Sequence, residues 1–179
     1  MAKATKKLII GDRIYLRRIK ISDVKRNYCS WMNDPEVVRY TESRFKKWPI
    51  QALKNYIRAV NRDPASVMLA IILKDKDMYI GNIKIGPIDY NHKFANIGII
   101  IGEKSFWGKG FAAEALKLAI RYAFGGLKIH KLTAGIYANN IGSLKAFKKA
   151  GFLTEGRLKK QYVYNSSYVD AVLLGVRRK

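Results

Sequence analysis

IGIIIGEKSFWGKGFAAEALKL, from Ile97 to Leu118, is the stretch on which the reading of this chain turns. Ile97 to Gly102 is a short apolar run bounded by turn residues, which has the length of a buried strand. The run feeds a loop, Trp107-Gly108-Lys109-Gly110, that opens directly into an apolar helix beginning at Phe111. Glycines one residue apart let main-chain N–H groups approach a ligand with no Cβ in the way. The helix start adds unsatisfied donors and a partial positive charge. Together these predict an anion site, most naturally for phosphate or pyrophosphate, with Lys104 and Lys109 at its rim. A Walker loop is excluded because no Lys-Ser/Thr pair closes the pattern, and a dinucleotide fingerprint is not met because position 113 is alanine.

The pattern outward from this window is of mixed type. Upstream, Ile9–Arg18 alternates as a strand, Ser22-Asp23 offers an N-cap to a helix carrying Val24, Tyr28, Trp31 and Met32, and Pro35 ends it. Glu36 to Trp48 has little periodicity and reads as an ordered loop. Pro49 opens a second helix with Leu53, Ile57 and Val60 on one face. Residues 66–102 read as an antiparallel meander, broken at Gly86-Pro87. Downstream, the helix from Phe111 stops at Gly125-Gly126, and Lys131–Tyr137 is a strand. A short helix spans Ser143–Ala150, and a hairpin joins 162–164 to 168–176. These elements predict one α/β domain over 1–179 built on a mixed, mostly antiparallel sheet, preceded by a basic arm at 1–7.

Composition bounds the partners. Thirty-five Lys+Arg against 13 Asp+Glu give a formal net charge of +22, which favours polyanionic ligands and disfavours a polyamine. Beyond Glu103 there are 15 cations and only three acids, Glu114, Glu155 and Asp170. One cysteine excludes an internal disulfide, and with two histidines it offers no usual zinc site, so no metal is expected. No apolar stretch has the roughly 20 residues of a membrane span, and no apolar run follows the basic start, so a cytoplasmic protein is expected. Monomer and homodimer are both open.

A second window gives the first its context. Lys131–Tyr137 is followed by Asn139-Asn140-Ile141-Gly142-Ser143 and then by Gly151-Phe152. With Trp107 to Ala115, these residues resemble the GNAT superfamily of acyl-CoA-dependent N-acetyltransferases. The opening from Gly11 to Arg17 and the closing Tyr168-Val169-Asp170 are similar to the ribosomal-protein alanine acetyltransferase (RimJ/RimL-like) branch. Trp31 to Val37 is similar to members that acetylate nucleotide-linked amino sugars.

The resemblance implies a sheet splayed between the strands at 95–102 and 131–137, with acetyl-CoA as cosubstrate threaded through the opening. It implies coenzyme contacts from Ile99, Ile100 and Ile101, from Phe106, Trp107, Gly108, Lys109, Gly110, Phe111 and Ala112, and from Asn140, Ser143 and Phe147. It further implies direct attack of an amine on the thioester, with the carbonyl polarised by main-chain N–H groups of the splayed strand. Many relatives carry a tyrosine where this chain has Phe147 and a glutamate where it has Asn96. The catalytic candidates are therefore Glu103, Ser143 and Tyr137, while His92 and His130 read as turn residues. Trp31, Arg39, Tyr40, Arg44, Tyr90 and Tyr162 are candidate walls of the acceptor pocket. The acceptor is expected to be a nucleotide-linked amino sugar or a protein N-terminal α-amine. An RNA- or ribosome-binding scaffold is the alternative, although no RNP-like or zinc-finger pattern is present.

Overall fold

The computed structural model describes residues 9–178, so the basic arm expected at 1–7 lies outside the described residues. The strands are β1 (Ile9–Ile10), β2 (Ile14–Arg18), β3 (Val67–Leu73), β4 (Met78–Asp89), β5 (Phe94–Ile101), β6 (Lys131–Tyr137), β7 (Leu153–Tyr164) and β8 (Ser167–Arg177). The helices are α1 (Arg26–Asn33), α2 (Pro35–Val38), α3 (Ile50–Arg62), α4 (Phe111–Arg121) and α5 (Ile141–Lys149). One sheet runs in the order β1-β2-β3-β4-β5-β6-β8-β7. Every pairing is antiparallel except that of β5 with β6.

The sheet separates two apolar layers. Leu69, Ile71, Ile83 and Ile85 pack on one side against Phe111, Ala115, Leu116 and Ala119 of α4 and Phe147 of α5. Alanines at two of these contacts, Ala115 and Ala119, let α4 lie close to the strands. On the other side, Tyr28, Trp31 and Met32 of α1 meet Leu53, Ile57 and Val60 of α3. All seven residues of β3 are buried, as a central strand covered on both faces requires.

Several local expectations are refined. The first strand is divided, because Gly11 to Arg13 turn away between β1 and β2. Asp23 does not cap α1. Its carboxylate takes paired 2.6 Å hydrogen bonds from Arg17 and one of 2.7 Å from the Lys20 amide, and Lys25 stands at the cap position instead. Pro35 ends α1 as expected, but it also starts α2, which Asp34 caps by accepting from the amides of Glu36 and Val37. A 3₁₀ turn at Glu42–Phe45 gives the rest of the expected loop its order. The β4 strand passes through Gly86-Pro87 by means of a register shift between Ile85 and Ile88. The closing hairpin is longer than its sequence suggests, since β7 begins at Leu153.

Gly81 sits where β4 and β5 lie tightest. A Cβ there would overlap the Ile100 carbonyl oxygen and come within 3.0 Å of the Ile101 Cα. Both are main-chain atoms of a paired strand and cannot swing aside. Gly81→Ala is expected to lower unfolding free energy by about 1–3 kcal/mol. Urea denaturation reads this, and an unchanged midpoint would contradict the close approach.

Candidate active site

The parallel pairing of β5 with β6 lasts three rungs, Phe94 with Lys131, Ala95 with Leu132 and Asn96 with Thr133. The last rung is pinned by the Thr133 hydroxyl donating to Asn96 Oδ1 at 2.7 Å. Beyond it, Ile97–Ile101 stay with β4, and Ala134–Tyr137 stay with β8. The strands part into a V whose facing main-chain edges have no ladder partner among the described residues. Trp107 leans on the β5 side of the opening and donates its indole N–H to the Ile101 carbonyl at 2.7 Å.

Two helix starts face the cleft that this opening creates, which has a volume of about 1240 Å³. At the first, Gly108 and Gly110 adopt φ of +72° and +83°, and Gly110 stands at the α4 cap position. Both values are in the left-handed region, where a side chain is strained and glycine is favoured. Beyond its chain neighbours, no heavy atom of the described residues lies within 4 Å of a Cβ built at Gly108, so the space beside its backbone is open. At the second, the Asn140 side chain caps α5 by accepting from the Ser143 amide at 3.2 Å.

The glycine loop is clamped from behind. Arg13 donates its amide at 2.8 Å and its Nε at 2.9 Å to Glu114, and its Nη1 donates to the Lys109 carbonyl at 2.9 Å. The Ile14 amide adds a third donor to Glu114 at 3.3 Å. The Arg13 guanidinium also lies 4.1 Å from the Phe111 ring centre. From the other bank, Lys104 reaches Asp34 at 2.8 Å and Glu36 at 3.0 Å, tying the 3₁₀ turn before the loop to α2. That ammonium, with two α2 amides, holds the Asp34 carboxyl below its usual range.

The far wall is aromatic. Tyr137 stacks on Tyr162 with ring centres 4.1 Å apart, and Tyr40 stacks on Tyr164 at 5.1 Å. The Arg44 guanidinium lies 5.1 Å from the Tyr137 ring centre. Burial raises the Tyr40 phenol, and the neighbouring Tyr164 hydroxyl adds to this. Burial likewise raises Tyr162, aided by Tyr137 and by the charge of Glu42. Phenols shifted upward keep their protons at neutral pH and serve as donors, not bases. On α1, Tyr28 is fully buried with its hydroxyl unpaired among the described residues, and burial pushes it well up.

The sequence-predicted residues divide into two groups. Residues 99–101 and 106–112, with Asn140, Ser143, Phe147, Tyr137, Arg39, Tyr40 and Tyr162, all line the cleft. Glu103, Trp31 and Tyr90 do not. Glu103 accepts from the Ser105 hydroxyl at 3.1 Å outside the cleft wall. Trp31 is core, packed edge-on to Tyr28 and against Tyr79. Tyr90 is bound to the Pro64 carbonyl at 2.6 Å near the end of β4. Arg44 lines a neighbouring cavity and anchors the Arg39 and Val163 carbonyls at 2.8 and 2.6 Å.

Phe147 is an apolar core contact of Phe152, so this position supplies no hydroxyl. Asn96 is occupied by Thr133 at the vertex of the V. The carboxylates on the cleft wall are instead Glu36 and Glu42, neither of which the sequence singled out. Glu36 is paired with Lys104, whereas no ion pair is formed by Glu42 among the described residues.

A gap with free main-chain edges, flanked by donor-rich helix starts, suits a long carrier with a phosphate-bearing end and a reactive thioester. Residues 13–153 match the family model described as the acetyltransferase (GNAT) domain, and the chain belongs to that family. It is an acetyl-CoA-dependent N-acetyltransferase. Over 172 residues it is 27% identical to the uncharacterized N-acetyltransferase p20 of Bacillus licheniformis, covering 94% of each chain. It is 33% identical over 92 residues to the spermidine N(1)-acetyltransferase of Escherichia coli K12, a match covering 51% of this chain and 49% of that one. Vibrio cholerae spermidine N-acetyltransferase in complex with CoA and spermine shares the fold, with a TM-score of 0.83 at 23% identity over 93% of this chain and 96% of that one. The comparisons carry the family, not the ribosomal-protein alanine branch or the amino-sugar likeness. Among the described residues, no helix is long and apolar enough to cross a membrane.

Glu114→Ala is expected to cost about 1–3 kcal/mol, because it strips the acceptor from three N–H donors at a part-buried site. Glu114→Gln, which keeps an acceptor oxygen, should cost less. Chemical denaturation of both variants tests this, and equal losses would deny the clamp its hydrogen-bonded character.

Proposed function

We propose that this enzyme acetylates a primary amine on an anionic molecule, a nucleotide-linked amino sugar before a protein N-terminal α-amine. The observation that carries this reading is the charge of the cleft wall. Arg39, Lys46, Lys84, Lys109, Lys145 and Lys149 stand against Glu36 and Glu42. Some of these cations belong with the coenzyme, but Arg39, Lys46 and Lys84 lie on other elements, α2 to α3 and β4. A polyamine would meet that field unfavourably. It remains the second reading because Escherichia coli and Vibrio cholerae relatives are spermidine acetyltransferases.

In this reading, the amides from Phe106 to Ala112 bind the coenzyme's diphosphate, supported by Lys109 and the α4 start. The free edge of Ile99–Ile101 holds the pantetheine arm and directs N–H groups at the thioester oxygen. Asn140 fixes the α5 start, and Phe147 packs beneath the reacting end. Glu42 accepts the proton of the incoming ammonium, which frees its lone pair for attack on the acetyl carbon. As the C–N bond forms and the C–S bond breaks, a hydroxyl proton from Ser143 or Tyr137 passes to the departing sulfur. The nitrogen's remaining excess proton restores that hydroxyl. Glu42 takes the base role over Glu103 because it faces the cleft and is unpaired there.

Acetyl-CoA at 100 times its Kd is expected to stabilise the wild-type protein by about 2.7 kcal/mol. Gly110→Glu, which places a side chain and a negative charge at a left-handed cap, should abolish that stabilisation. Thermal unfolding with and without ligand reads it, and retained stabilisation would remove the loop from the coenzyme site. For the acceptor, free-thiol release is to be followed with nucleotide-linked amino sugars, N-terminal peptides and spermidine. Turnover of spermidine alone would overturn the anionic-acceptor reading. With whichever acceptor is used, Glu42→Gln should reduce kcat about 10²–10⁴-fold. The loss should shrink at high pH, where the amine is already neutral, and Glu103→Gln should be near wild type.

A further inference from the structure

A second cavity adjoins the cleft. It has a volume of about 640 Å³ and lies between the segment from Met32 to Lys47 and the tip of the β7–β8 hairpin. Met32, Arg39 and Lys46 belong to the walls of both, so the two spaces share a boundary. Arg39, Arg44, Lys46 and Lys47 line it, and among the described residues no carboxylate does. On the same stretch of chain, Asp34 and Glu36 are already paired with Lys104, and Glu42 faces Tyr162 across the cleft.

The cavity is not merely charged. Its wall includes Val38, Phe45, Val163 and Tyr164, with Phe45 62% and Val163 46% exposed. Arg44 is held by the Arg39 and Val163 carbonyls, so part of the cost of ordering a long cation on ligand binding is already met. Asn33 is spent on the Cys29 and Trp48 backbone, which leaves Asn165 and Ser166 at the hairpin tip as the remaining polar rim. The volume is in the range of small-molecule sites. Cations for phosphate oxygens beside aromatic and apolar surface for a ring are the recognition chemistry of a nucleotide.

We infer that this cavity binds a nucleoside diphosphate, the carrier end of the amine acceptor. The diphosphate lies among Arg39, Lys46 and Lys47, the base lies against Phe45 and Tyr164, and the amine-bearing end crosses the shared boundary at Arg39 and Lys46 toward the cleft. The inference rests on the anionic-acceptor reading but does not share its test, because binding can be measured without turnover.

The probe is UDP, titrated calorimetrically into the full chain at physiological salt with saturating CoA present. Binding should persist with CoA bound and weaken at least tenfold in the Lys46→Glu/Lys47→Glu variant, whose CoA affinity stays at the wild-type value. A control variant, Lys76→Glu/Lys117→Glu, changes net charge equally at exposed positions on neither wall. It should bind UDP as wild type does. No UDP binding, displacement of UDP by CoA, or equal losses in the two variants would each overturn the inference. So would a single-stranded RNA oligonucleotide that binds through Lys46 and Lys47 while UDP does not. If UDP fails to bind yet a non-nucleotide anionic amine is acetylated, the cavity assignment falls and the acceptor class stands.

Discussion

The parting of β5 from β6 after Thr133 is the constraint on which the molecule's chemistry depends. A sheet normally satisfies its main-chain donors and acceptors by pairing, and leaving an edge open inside a fold is costly unless something else fills it. Here each strand is held on its outer side, β5 by β4 and β6 by β8. The opening can therefore persist without unravelling its neighbours. The Asn96–Thr133 hydrogen bond fixes where the parting begins. Under the function proposed above, this open edge supplies the strip of free amides that receives the extended cosubstrate.

Around this opening the two banks are secured differently. The glycine loop is tied to β2 through Arg13 and Glu114, while α2 is tied to the turn preceding the loop through Lys104. The aromatic wall depends on residues far apart in sequence, with Tyr40 before the meander, Tyr137 at the end of β6 and Tyr162 on β7. Long-range ties place these groups together, and secondary structure alone would not.

This difference decides what the sequence disclosed. The loop and helix from Trp107 to Leu118 were legible because backbone needs write themselves into local composition: left-handed turns favour glycine, as at Gly108 and Gly110, and an asparagine before a helix announces a cap. The meander was legible from apolar runs and turn residues. The β7 strand was not, because its first nine residues are exposed or nearly so and carry no alternation of apolar side chains. Trp31 and Tyr90 looked like pocket walls because an aromatic residue reads alike in a core or a cleft. Glu42 escaped notice because its significance comes from standing across from Tyr162, 120 positions later in the chain. Glu103 drew attention through proximity in sequence to the loop, which is no guide to the direction of a side chain.

The sheet ends on one side at β7, whose outer edge pairs with no other strand among the described residues. Lys159 and Lys160 lie on this strand, Arg157 turns back to Asp170 of β8, and the register slips twice against β8, between Thr154 and Gly156 and again between Leu158 and Tyr162. A foreign strand seeking to extend the ladder would have to follow an irregular template and crowd like charges together. The same residues that hid this strand from pattern reading thus make this edge a poor template for fibrillar growth, in contrast to the open edges inside the cleft.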